Sequence, residues 1–467
     1  MTIGFTDTVG DGVLSIDATG NASWLTVRQA AVAMVDITVG AGCFVHVDAA
    51  HSATVLAWEV DAAADPEPLG FAAGDPALAA LVRHLRERGE TAEIVRGARL
   101  TAQWSRFAEV AAVARWTMRP VDRAALLLDR AVAEAGVGHG AAARNLFTFA
   151  EDALIDFGRR CVDGEMSSAV IDLVRRAAIV AGSAGFTGEI DSLARELGAA
   201  GAIADDRVFA GLAEWNYAVQ EAGAVAQSTE LGAGTVSLTV GSEMLDIAAV
   251  PPRIVAWAGA DVPELLIEHD LDTDRIVLTA LLSDGVDPDS AEARRLLAYA
   301  ANKDSGALVA TAPTRVAGRS ISANLPARGH DIDDLHCGVF DAKVDVESLR
   351  GDPAGRCLAE VDRYTVEAWN WQRAALAAWN AVPDNASAEV WAAARVVFDD
   401  CLIDARKAAR IALRKLADGV ADTAPIELLL RTRSEAVTAF LDELAMVPAA
   451  QARPLLSELV PPEPDDE

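Results

Sequence analysis

The chain holds 467 residues, 52% of them hydrophobic. That is enough for true cores and, at roughly 150 residues per domain, for about three domains. Forty basic side chains against seventy acidic ones leave a formal net charge of −30. A field of that sign repels phosphate backbones and anionic lipid heads, which argues against nucleic-acid and membrane-surface partners.

The N-terminal stretch carries Asp7 and Asp11 and no basic start, so no export signal is expected. The apolar run 30–47 is broken by Asp36 and two glycines, too interrupted to span a bilayer. Five scattered cysteines (Cys43, Cys161, Cys337, Cys357 and Cys401) form no CxxC pair. They are expected as reduced, mostly buried thiols in a cytoplasmic protein.

Residues 1–100 read as a small mixed α/β domain. Two strands, 43–47 and 54–60, flank a turn. Asp75-Pro76 then opens a helix, with Leu78, Leu81, Val82 and Leu85 at helical spacing and Gly89 as its stop. A further strand is expected at 92–95. Residues 101–222 read as a helical-hairpin domain. Trp104, Phe107, Ala108, Ala111 and Ala112 share a face, and 126–134 and 141–157 fold across Gly136-Val137-Gly138. More helices are expected at 170–180, 190–197 and 208–220, and a linker at 221–234.

Beyond the linker the period changes from helical to alternating. Seven or eight short apolar runs with turn residues between them predict an antiparallel β-sandwich over 233–346. Gly351, Pro353 and Gly355 mark a second linker at 347–356. Helices return within 357–450, and 451–467 reads as an acidic, proline-rich tail. The fold class is thus α+β, multidomain.

Leu127, Ala131, Gly138, Ala143, Phe147 and Ala150 stand at the offsets of a helical-repeat unit. The hairpin 124–157 resembles one tetratricopeptide-type unit, although Ile155 occupies the usual terminal proline position. The resemblance implies a concave face that binds a peptide or protein.

Three other groupings bear on chemistry. Gly182, Gly185 and Gly188 resemble the glycine-rich turn of short-chain dehydrogenase/reductase folds, and Tyr299 with Lys303 fits that family's tyrosine–lysine pair. This resemblance implies a bound NAD(P), a parallel sheet with helices on both faces, and a lysine that lowers the tyrosine pKa. His46, Asp48 and His51 form the densest metal-like cluster; on a regular strand His46 and Asp48 share a face. Arg406, Arg410 and Arg414 recur at i, i+4 and i+8 beside Lys407 and Lys415. They make either a docking stripe for an acidic partner or phosphates, or a solvated face paired with Asp400 and Asp404. Among three nearby tryptophans, Trp369 and Trp379 can share a face with Leu376, which leaves Trp371 as the interface candidate.

The leading expectation is a non-catalytic interaction or scaffold protein that takes no cofactor and binds a protein or peptide partner through helical grooves and the sandwich. The alternatives are an NAD(P)-dependent reductase built on Tyr299 and Lys303, and a metal-dependent hydrolase built on His46, Asp48 and His51.

Overall fold

The computed structural model describes residues 11–26, 33–89, 92–119, 121–164, 166–199, 237–257, 264–270, 274–283, 286–382, 386–419, 423–446 and 454–460. The chain divides into two compact units. One comprises Met1–Arg115, Ala124–Val162 and Asp172–Ala200; the other comprises Trp116–Arg123, Asp163–Ile171 and Gly201–Glu467. The boundary drawn near residue 100 therefore falls inside the first unit, and the mixed and helical segments share it.

The first unit begins with a six-stranded sheet. Its strands are β1 (Asp11–Ile16), β2 (Ala22–Thr26), β3 (Met34–Gly40), β4 (Cys43–Asp48), β5 (His51–Val60) and β6 (Ala92–Arg96). They lie in the order β3-β4-β5-β2-β1-β6, every pairing antiparallel. Alternation places one residue in two on the buried face: Val35, Ile37 and Val39 on β3, and Ala22 and Trp24 on β2. Trp24 and Trp58 are direct cross-strand partners, both buried. Helix α1 (Glu67–Ala73) packs on β3 and β4. Helix α2 (Pro76–Arg88) starts where expected: the Asp75 carboxylate accepts the Ala77 N–H at 3.0 Å, and Gly89 closes it at φ 65°.

Five helices follow: α3 (Ala102–Trp116), α4 (Arg123–Gly136), α5 (Gly140–Val162), α6 (Ser168–Ser183) and α7 (Glu189–Ala199). The α4–α5 hairpin turns at Gly138, whose φ of +87° disfavours any side chain. Ala131, Ala143, Phe147 and Ala150 are all buried. The expected helix 208–220 and linker 221–234 lie outside the described residues.

Among its described residues the second unit carries eight strands. They are β7 (Ser237–Glu243), β8 (Leu265–Asp270), β9 (Arg275–Leu281), β10 (Leu296–Asn302), β11 (Leu308–Pro313), β12 (Arg315–Ala317), β13 (Ser320–Pro326) and β14 (Leu335–Asp341). Two antiparallel sheets result, β12-β13-β9-β8-β7 and β11-β10-β14. Ile267, Ile276, Leu278, Ile321 and Leu325 of the first share one apolar core with Leu296, Ala298, Ala310, Leu335 and Val339 of the second. β14 is buried at every position because the other face of its sheet is also covered. There Tyr299, Ala301 and Phe340 pack with Ala249, Val344 and Leu349.

A four-residue helix, α8 (Ala291–Arg294), precedes β10. After the sheets come α9 (Pro353–Asn380), α10 (Ala388–Asp418), α11 (Ala424–Leu444) and a second four-residue helix, α12 (Leu456–Leu459). The linker expected at 347–356 is corrected: α9 begins inside it. Asp352 caps the helix by accepting the Gly355 N–H at 2.9 Å, with Pro353 in the first turn. Gly355 is a packing glycine there, since a Cβ would sit 3.0 Å from the Arg350 backbone. The tail is corrected too. Residues 455–460 are buried, while 461–467 lie outside the described residues. Among the described residues no helix is long and apolar enough to cross a membrane.

Candidate functional site

The tyrosine and lysine of the reductase-like pair do meet at one cluster, but not as that chemistry requires. Tyr299 lies in β10 and Lys303 in the turn after it, not on a helix. The Tyr299 hydroxyl lies 3.1 Å from His336 Nε2. His336 Nδ1 is 2.5 Å from Glu243 Oε2, an ion-pair distance without the alignment of a hydrogen bond. The same Glu243 oxygen accepts the Cys337 N–H at 3.0 Å, and its other oxygen is 4.0 Å from Lys303 Nζ. Lys303 donates to the Asp333 carbonyl at 3.0 Å. Burial pushes the Tyr299 phenol up, and the charges of Asp246 and Glu243 push it further, so it stays protonated and acts as a donor. The expected lowering is reversed. The ring also leans on Gly338, where a Cβ would fall 2.4 Å from it. Glu243 and His336 complete the cluster. No spacing signal marks this pair, because the two are 93 positions apart and belong to strands that do not pair.

The glycines of that resemblance are a helix-ending turn. Phe186 N–H bonds back to the Ala181 carbonyl, and Gly185 and Gly188 take φ of +99° and +76°. Helix α6, not a strand, leads into them, so the strand–turn–helix that would seat a pyrophosphate is not formed. Gly182 lies within α6, with Asp191 beside it. They lie in the first unit, Tyr299 and Lys303 in the second, and the described sheets are antiparallel throughout.

His46, Asp48 and His51 do not converge either. The β3–β4 pairing runs unbroken through Asp36↔His46, Val35↔Val47 and Met34↔Asp48, but the two side chains are drawn to different partners. His46 Nδ1 pairs with Asp36 of β3 at 2.6 Å, which raises the His46 pKa. Asp48 turns inward, accepts the Ala50 N–H and meets His51 at 3.4 Å. Among the described residues no group of three metal-ligating side chains is present.

Helix α9 is enclosed on nearly every side, and Trp371, expected as an exposed contact, is buried with Trp369. The enclosure leaves its polar residues no water, so they pair in a line along one stripe. Arg363, 0% exposed, donates to Glu264 at 2.9 and 3.1 Å and to Glu367 at 2.9 Å, with Trp257 stacked at 5.3 Å. Burial pushes the Glu264 carboxyl up, opposed by the Arg363 charge. Asn370 bonds the Trp116 carbonyl and the Met118 N–H, and Arg373 clasps Glu458. One helix thereby ties together residues 116–118, 264 and 458.

The arginine stripe of α10 is divided by its surroundings. Arg406 is half-buried and donates to the Leu444 carbonyl at 2.8 Å, completing the C-terminus of α11. It is therefore structural, and leaves the docking stripe. Lys415 pairs with Glu360 at 2.6 Å. Lys407, Arg410 and Arg414 are exposed. On the same outward face stand Val396 and Ile403, 60% and 57% exposed. Spacings of 7, 4, 3 and 4 along 396, 403, 407, 410 and 414 hold them in one stripe, apolar at its N-terminal half and cationic at its C-terminal half. Comparison with protein-family models, with characterised proteins and with solved structures returned no match.

Proposed function

We propose that this chain is an interaction protein that carries out no chemistry of its own. It binds an acidic partner helix on the outward face of α10, which packs on α9 and α11; the two sheets we read as an antiparallel sandwich module. The single observation that carries the proposal is the composition of that face. Branched apolar side chains at 396 and 403 run into three exposed cations on a chain whose net charge is −30. Apolar burial supplies affinity in a helix-on-helix contact, and local charge opposite to the global field sets orientation and partner choice. The burial of Ala131, Ala143, Phe147 and Ala150 in the 124–157 hairpin, with Phe149 exposed on α5, supports a second, peptide-binding face of the same kind.

The test is a quantitative capture from cell extract with the whole chain as bait, run beside a K407E/R410E/R414E variant. The expected result is a set of acidic proteins lost from the variant, in parallel with an unchanged melting temperature. Identical captures, or turnover of a small molecule by the purified chain, would overturn the proposal.

A further inference from the structure

Residues 454–460 follow the end of α11 at Leu444 after residues 445–453. They are held almost wholly by what they touch. Leu455, Leu456, Leu459 and Val460 are buried, yet the helix they form has only four residues. A helix that short has no stability of its own, so the groove along α9 dictates its shape. At its centre the buried Glu458 accepts Arg373 Nε at 2.6 Å, Arg373 Nη2, and the Leu455 N–H at 2.8 Å. Arg119, also buried, adds a second positive charge, and with Arg373 it holds the Glu458 carboxyl below the usual range against the cost of burial. Cys401 of α10 lies beside Arg119; burial pushes its thiol up to about 12, so it brings no charge.

Four apolar side chains and one forked carboxylate therefore define this recognition, and none of these contacts depends on the covalent link to α11. The connection 445–453 has a fully extended reach of about 30 Å. We propose that 454–460 is an exchangeable segment, and that the groove holding it accepts the same segment from a second copy of this chain, giving a reciprocal dimer. The second copy is the occupant because it alone is certain to bring the complementary sequence. This surface stands apart from the α10 face, so either proposal can fail without the other.

The experiment mixes full-length chains of normal and heavy-isotope composition at high concentration, in urea below the main unfolding transition. They are returned to buffer and weighed by native mass spectrometry. The expected result is a dimer of intermediate mass, and finding none overturns the proposal. R373E and E458R then test reciprocity, because a single loss of the fork weakens closed monomer and exchanged dimer alike. Each places like charges in its own groove, so refolding the two together is expected to restore a dimer that neither forms alone. Failure of that rescue overturns the proposal.

Discussion

The six-stranded sheet of the first unit and helix α9 of the second solve the burial problem in opposite ways. The sheet sends most of its polar residues outward, Thr26 and Asp48 excepted. On β3, Val35, Ile37 and Val39 go in while Asp36 and Thr38 stay at the surface, where Asp36 meets His46. Helix α9 has less of an outlet. Arg363, Asn370 and Arg373 are matched to partners far away in sequence, and Glu367 to Arg363 one turn before it. The contrast separates two sources of specificity: a pattern that any two-layer fold can satisfy, and a set of pairings that only one arrangement satisfies.

Removing a partner on each side tests the contrast. Arg363→Ala is expected to cost about 3–5 kcal/mol, because it leaves the Glu264 and Glu367 carboxyls buried and uncompensated. Urea unfolding of the two chains side by side measures it; a loss below about 1 kcal/mol would mean that the charge line is dispensable. Gly338→Ala is expected to cost about 1–3 kcal/mol by forcing a Cβ into the Tyr299 ring, and the Gly338→Ala/Tyr299→Leu double variant should recover part of it. Differential scanning calorimetry reads both. Asp75→Ala removes a helix cap in the first unit and should cost about 1 kcal/mol, whereas Asp75→Asn should be nearly silent.

The smallest effect belongs to the exposed pair of the sheet. The Asp36 carboxylate raises the folded-state pKa of His46, so the pair's contribution is complete below the unfolded histidine value near 6.5 and fades as pH rises through the folded value. Asp36 is mostly exposed, so solvent screening holds the contribution under about 1 kcal/mol. Denaturation of the parent and His46→Asn chains at pH 5.5 and pH 8 should differ at the lower pH and converge at the higher.

What could be read in advance follows the same contrast. The cap–proline–glycine grammar of α2 and the alternation of the strands are local, and both sit where the residues placed them. The partners of α9 are not local: Glu264 and Arg363 are 99 positions apart, and no spacing rule joins them. The segment 454–460 reads as tail because its prolines and acidic flank hide four buried apolar residues. His46 and Asp48 are separated by their partners, Asp36 across the strand and Ala50 in the turn, which leave no mark in composition. In the α10 stripe the basic residues stand out, but Arg406 differs from Arg410 through the end of another helix beside it. Val396 and Ile403 are not singled out by the sequence reading, although their seven-residue spacing extends through Arg410.

The docking face is tested most directly by placing a photo-crosslinking amino acid at Ile403 of the full chain and irradiating growing cells. The account predicts a discrete adduct with an acidic protein that disappears when Arg410 and Arg414 are changed to glutamate. An adduct that persists through the charge reversal, or none at Ile403 while a probe at the buried Leu402 position of the same helix gives one, would contradict it.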